Sequence, residues 1–262
     1  MHTDSINAHS LFKPLNDFFD GIFVITLDRA KDRQESIKKN MSGLDYEFWP
    51  ATDKSKLHES VLHDKSQYDD ETHRKLKRTH RSMNLGEYAC AHSHRCIHQH
   101  MVQNSLQKVL IFEDDAIPNL DVLHNFSSCI NSLPVSWDVL MLDYYDCYYE
   151  NISGYLKQFL YKVYRQLHIA NWQHVPVSRI NNLLMRHHSE YFYHAGKFSG
   201  SHAYCLTLDA AKQYLELQTP VVLQPDRIFY AFQEKTNLNV LACKEPLFLR
   251  GEASKVSSIQ TR

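Results

Sequence analysis

Residues 108–118 read KVLIFEDDAIP, an apolar run set directly against three acids. Val109, Leu110, Ile111 and Phe112 have the unbroken apolarity of a strand buried on both faces. Glu113, Asp114 and Asp115 follow with no spacer, and Pro118 is expected to forbid further sheet pairing there. Three carboxylates at a strand end repel one another, and each is costly to bury unpaired. In extended chain Glu113 and Asp115 share one face while Asp114 points to the other. Ligands of open parallel sheets bind beyond the carboxyl ends of the strands. A divalent cation held there by carboxylate oxygen would neutralise the cluster and grip a diphosphate. The alternative is a solvated turn in which Asp115 merely caps a helical turn.

Outward from this stretch, strands and helices alternate. GIFVITL (21–27) reads as a buried strand, with Asp28 placed to cap a helix through RAKDRQESIKKNM. YEFWPAT (46–52) is a short strand, and residues 53–81 form a polar surface excursion with some helix. NLGEYACAHSHRCIHQHMVQNS (84–105) predicts a helix, and another is expected near 119–132. WDVLML (137–142) is a strand ending at Asp143. Within 155–172, Leu156, Phe159, Leu160, Val163, Tyr164 and Leu167 share one helical face, which suggests core packing. SHAYCLTL (201–208) is a strand, with Asp209 capping the helix AAKQYLEL. A further helix starts near Asp226, and NVLACKEPLFL supplies a late strand. The pattern predicts an α/β domain with a mainly parallel sheet flanked by helices. It spans 21–250, between an N-terminal extension (1–20) and a C-terminal tail (251–262).

Bulk composition excludes several classes of function. A net charge of −1 over 262 residues gives no whole-molecule attraction to nucleic acid. Seven glycines argue against a glycine-rich phosphate loop. The six scattered cysteines form no C-x-x-C pair, and the first residues lack the apolar core of a signal peptide. A cytoplasmic protein is the expectation, so the sequons at Asn40, Asn125 and Asn151 carry little weight. The basic run RKLKRTHR (74–81) faces anionic lipid, which would give peripheral membrane contact, or an acidic glycan, or is simply a solvated face.

Four blocks, in order along the chain, carry a resemblance: FVITLDRAKDRQESI, GEYACAHSHRCIHQHMV, VLIFEDDA, and SGSHAYCLTLDAAKQYL with QPDRIF. Together they resemble glycosyltransferase family 25, the lipooligosaccharide and procollagen galactosyltransferase group. The resemblance implies a GT-A-like fold, a UDP-sugar donor, a glycan acceptor such as lipopolysaccharide, and inverting transfer of a hexose, galactose foremost. It further implies Mn²⁺ or Mg²⁺, with the acidic strand end standing in for a DxD motif. On this chain Asp115 is then the foremost metal ligand, with Glu113 a second, and Glu113 and Asp114 reach ribose, sugar or metal waters. Arg29 and Arg33, four apart on one helical face at the mouth of the first strand, suit the donor nucleotide or phosphate. Their alternative is surface pairing with Asp32 or Glu35.

An inverting transferase needs a base to take the acceptor hydroxyl's proton. Asp226 in LQPDRIF is the leading candidate, with an N-cap role as its alternative and Asp143 and Asp146 as weaker bases. Gly200 permits close approach of backbone to a sugar, or is an ordinary turn glycine. Residues 90–100 place Cys90, His94 and His98 on one helical side and Cys96 and His100 on another, a poor arrangement for tetrahedral zinc. A structural role behind the donor site is expected for Ser93 and His94. Two rivals stand against transfer. A receiver-like phosphotransfer domain carries its acids at the first strand, which here ends in a single acid. A non-catalytic glycan-binding module would be expected to have lost the acids, and they are intact.

Overall fold

The computed structural model describes residues 8–233 and 235–251. Residues 1–7 of the expected extension, and the expected tail beyond Gly251, lie outside the described residues. The strands are β1 (Gly21–Thr26), β2 (Glu47–Pro50), β3 (Lys108–Glu113), β4 (Ala116–Pro118), β5 (Val139–Met141), β6 (Tyr148–Tyr149), β7 (Leu184–His187), β8 (Phe192–His194), β9 (Ala203–Thr207), β10 (Val240–Cys243) and β11 (Phe248–Arg250). Nine of them form one sheet in the order β2-β1-β3-β9-β5-β10-β8-β7-β6. β9 and β8 run against the other seven, so the sheet is mainly parallel, as expected.

Alternation along β3 explains the two-sided burial. Val109 and Ile111 enter a core beneath the Leu85–Asn104 and Leu208–Leu217 helices, with Ile97, Met101, Ala211 and Tyr214. Leu110 and Phe112 enter the opposite core, with Phe12, Leu15, Ile37 and Phe126. Phe12 and Leu15 come from the Ala8–Phe18 helix, so part of the segment set aside as an extension packs on the sheet. No helix among the described residues is long and apolar enough to cross a membrane.

Several local expectations are corrected. Pro118 does not end pairing: β4 and β11 form a separate antiparallel ribbon, with Pro118 opposite Phe248. A proline is tolerated at the last residue of a strand with one neighbour. The late strand divides accordingly into β10 and β11. Asp28 caps nothing; the second helix is Lys31–Asn40, with Ala30 at its N-cap and no side-chain cap. Thr207, not Asp209, caps the Leu208–Leu217 helix, because the strand runs into it without a turn. The helix near 119–132 is two short ones, Leu120–Leu123 and Phe126–Asn131.

The expected core helix at 155–172 differs most. It is Ile152–Gln166, and left-handed backbone at His168, Ala170 and Asn171 keeps the α-helix from continuing to 172. Half of its apolar face looks outward, with Leu156, Phe159 and Leu167 58%, 61% and 64% exposed, while Leu160, Val163 and Tyr164 are half-buried. Amphipathic spacing identifies a stripe but not which neighbour covers it.

Candidate active site

β1 and β3 are parallel neighbours, so their carboxyl ends open together. A cavity of about 350 Å³ lies there, walled by the start of the Leu85–Asn104 helix. That helix starts where a capping box dictates: Asn84 accepts from the Glu87 N–H, and Glu87 accepts from the Asn84 N–H. Arg29, Arg33, Glu113 and Asp114 all line the cavity.

The three acids separate as alternation requires. Asp114 turns to the β1 side, where Thr26 Oγ1 donates to it at 2.8 Å and Arg33 at 2.7 Å. Glu113 and Asp115 share the other side with His202, their ligand atoms lying within 4.8 Å of one another. Ser201 Oγ donates to Glu113 at 2.8 Å, and His94 Nε2 stands 3.7 Å from the same oxygen. Burial opposes ionisation of Glu113, but His94, His202 and Ser201 outweigh it and hold the carboxyl below its usual range. Asp115 has weaker support, from His202 and Arg33. Burial and then the Glu113 charge push its carboxyl up, and its Oδ1 has no hydrogen-bond partner among the described residues.

His202 stands 3.4 Å from Asp143 and 4.0 Å from Asp115. Burial disfavours its charged form, but Asp143, Glu113 and Asp115 together raise its pKa. Two carboxylates and an imidazole, with one orphaned buried oxygen among them, fit a divalent cation. The nitrogen donor suits Mn²⁺ better than Mg²⁺, which takes oxygen almost alone. Cys90, His94 and Glu113 also converge within 4.8 Å, so a third ligand does reach the helix from β3. The Cys90 thiol, however, is held well above its usual range by burial and then by Glu113 and Asp226. A cation bound there would have to displace the thiol proton.

Arg29 and Arg33 do not share a helical face, since Arg29 lies in the turn before Lys31. Arg29 pairs with Asp53, and Arg33 crosses to Asp114. Asp226 is not an N-cap: Gln224 holds that position, Pro225 opens the helix, and Asp226 sits in its first turn. Its carboxylate is 3.3 Å from Arg227 Nε. The same carboxylate adds to the upward shifts of Cys90 and Tyr145, which places it within electrostatic reach of the acid cluster. Asp143 is buried against His202, whereas Asp146 is exposed. Gly200 has φ +97°, and a Cβ there would come within 2.7 Å of the Tyr145 ring. Only glycine meets both conditions.

His202 and Ser201 are the residues that sequence reasoning missed. They reach the acids because β9 pairs antiparallel to β3, Ala203 facing Phe112, and Glu113 N–H donates to the His202 carbonyl at 2.9 Å. The signal available was their place at the start of SHAYCLTL, directly before a buried strand. His94 lines the cavity with Ser93 rather than lying behind it; His94 and the deeper His98 both meet the buried Tyr204 hydroxyl, at 2.9 and 3.2 Å.

The family model for glycosyltransferase family 25 (LPS biosynthesis protein) matches residues 19–229. A glycosyltransferase 25 family member of Aedes aegypti is 35% identical over 101 residues, and one of Anopheles gambiae 34% over 101. Each match covers 36% of this chain and 16% of the length of the relative. Among solved structures, mouse xyloside xylosyltransferase 1 in its apo form aligns with 83% of this chain and 69% of its own. Its TM-score of 0.39 and 12% identity are too low to carry an argument.

Proposed function

Because the chain belongs to glycosyltransferase family 25, we propose that this glycosyltransferase moves a hexose, galactose foremost, from a UDP-sugar to a surface glycan such as lipopolysaccharide. The observation that carries the metal-dependent form of this reading is the Glu113–Asp115–His202 cluster beside the cavity at the ends of β1 and β3. In this reading those three residues hold Mn²⁺ or Mg²⁺, and the cation supplies charge neutralisation for a diphosphate leaving group.

The rest of the work falls to the chain's own side chains. The Asp143 carboxylate stands 3.4 Å from His202 Nδ1 and favours the charged ring electrostatically, while Nε2 lies on the Asp115 side. Asp114 is satisfied by Thr26 and Arg33, so it serves to hold Arg33 at the cavity wall rather than to bind the cation. Arg33 and Arg29 then meet the donor's nucleotide or phosphates as charge-assisted donors. The glycine backbone at Gly200 lets the sugar approach the strand end closely. Asp226 accepts the proton of the acceptor hydroxyl as it attacks the anomeric carbon in line.

A panel of nucleotide sugars, screened for release of nucleoside diphosphate with and without Mn²⁺, tests the reading. Metal-dependent turnover of a UDP-hexose is expected. Equal turnover in chelator would sink the metal assignment, and inactivity with every UDP-hexose the donor assignment.

A further inference from the structure

A second cavity, of about 280 Å³, has the opposite electrostatic character. Lys77, Arg78, Arg179, Lys197 and Arg227 all line it, and none of its described lining residues is acidic. The five cations come from separate places in the fold: the end of the Asp70–Lys77 helix, the Val177–Asn181 helix, the loop between β8 and β9, and the Pro225–Ala231 helix. Convergence of this kind is unlike a charge run along one exposed face, because separate stretches of backbone bring their charges to the same hollow.

The cavity is built rather than incidental. The Arg78 guanidinium lies 3.9 Å over the Trp172 ring, which is itself stacked on Tyr161 at 4.1 Å. A guanidinium already held flat loses little freedom when it binds an oxyanion. Arg179 is buried, its NH2 donating to the Ala231 carbonyl at 2.7 Å. Lys77 donates to Gln224, and Gln224 to Glu87, which ties this cavity to the capping box beside the first one. Burial and then Arg227 push the Lys77 ammonium below its usual range, against a smaller upward pull from Asp226. For Arg78, burial and Arg179 act in the same downward sense. An anion in the hollow would relieve both strains. Arg227, which lines the hollow, also pairs with the candidate base Asp226.

We propose that this cavity is an acceptor subsite for an anionic saccharide, gripping a phosphate or carboxylate group on the sugar through Lys77, Arg78, Arg179, Lys197 and Arg227. The proposal rests on the glycosyltransfer reading and adds to it the charge class of the acceptor. Two of the five residues belong to the basic run at 74–81, in which Arg74 and Arg81 are engaged by Asp70 and Glu87.

Trp172 provides a local reporter. Its indole N–H resonance, assigned with Trp172→Phe, would be followed during titration with glucose 6-phosphate, glucuronate, glucose, inorganic phosphate and UDP–Mn²⁺. A saturable shift is expected with glucose 6-phosphate or glucuronate, a weaker one with inorganic phosphate, and none with glucose or UDP. Lys77→Met and Lys197→Met keep the aliphatic stems, and each should weaken glucose 6-phosphate at least tenfold. If a variant fails to fold, salt gives the second reading, since the wild-type affinity should fall as NaCl rises. Equal responses to glucose and glucose 6-phosphate, unchanged affinity in both folded variants, or a saturable shift with UDP would each overturn the proposal. UDP–Mn²⁺ binding measured separately by calorimetry keeps the two readings apart. UDP bound without any response to anionic sugars defeats the subsite alone, whereas no UDP binding defeats the donor reading.

Discussion

The acids at the end of β3 and the cations around Trp172 both crowd like charges, but they are stabilised differently. Asp114 and Glu113 are compensated within the protein, by Thr26 and Arg33 and by Ser201 with two histidines. Asp115 is the exception, with an unpartnered oxygen and a carboxyl driven upward. The cations are separated by packing and by an aromatic plate, with no described acid lining their cavity. In the first region only Asp115 is left with an orphaned oxygen, whereas in the second the like charges of Lys77 and Arg227 still oppose each other.

The sharpest way to break the comparison is Asp115→Asn. The amide keeps the shape and removes the charge, so transfer should fall by roughly 10³ or more while the fold survives. Since burial already disfavours the charge there, the metal-free melting temperature should not fall. Activity across a Mn²⁺ titration, with circular dichroism and thermal melts, checks this; near-normal turnover in the folded variant would refute the ligand role.

Asp226→Asn comes next. Loss of a proton acceptor should lower turnover by about 10², with UDP affinity nearly unchanged. Because Gln224 occupies the N-cap, no capping role can account for a loss of activity. Wild-type turnover would return the search for the base to Asp143.

The arginines then separate buried from exposed compensation. Arg33→Ala strands Asp114 on Thr26 alone and should destabilise by roughly 2–3 kcal/mol, as well as weakening UDP. Arg29 is half-exposed, so its pair with Asp53 should be worth less than about 1 kcal/mol, and Arg29→Ala should show in nucleotide affinity only. Urea unfolding and calorimetry on both variants measure the difference; equal destabilisation would contradict it.

A pH dependence is expected at the bridge between the cavities. Burial opposes ionisation of Glu87, but Arg81, Asn84 and Gln224 bring its pKa down to about 2. A depressed carboxylate contributes stability that is complete above its ordinary value of 4.5 and is lost as pH falls toward about 2. Glu87→Gln should therefore lower stability at neutral pH by about 1–2 kcal/mol and flatten the acid limb. Denaturant unfolding at neutral pH and at about pH 3 checks the sign; an unchanged slope would show that Glu87 is not depressed.

These expectations divide by what periodicity can carry. β3, its two-sided burial and the opposite facing of Asp114 from Glu113 and Asp115 were legible because they depend only on local alternation. The helix at 84–105 was legible from Asn84, Glu87 and its length. Arg33 on Asp114 and His202 on Asp115 were not, since each needs the register between strands more than 80 residues apart in sequence. The outward face of Ile152–Gln166 was misread for the same reason: its stripe is local, but its burial depends on what the rest of the chain brings near. The basic run was legible as charge, yet Arg179, Lys197 and Arg227 join Lys77 and Arg78 only in the folded chain.

The ribbon of β4 and β11 has a mechanical consequence. Three residue pairs join the two strands, and Gly251 N–H donates to the Asp115 carbonyl at 2.7 Å. Tension applied to the chain after Gly251 would load that bond first and then peel β11 away from β4, one pair at a time. The nine-stranded sheet, loaded only afterwards, would still be intact. A stretched molecule would therefore lose the backbone tether of Asp115 while most of its bulk stayed folded, and it would stop working well before it came apart.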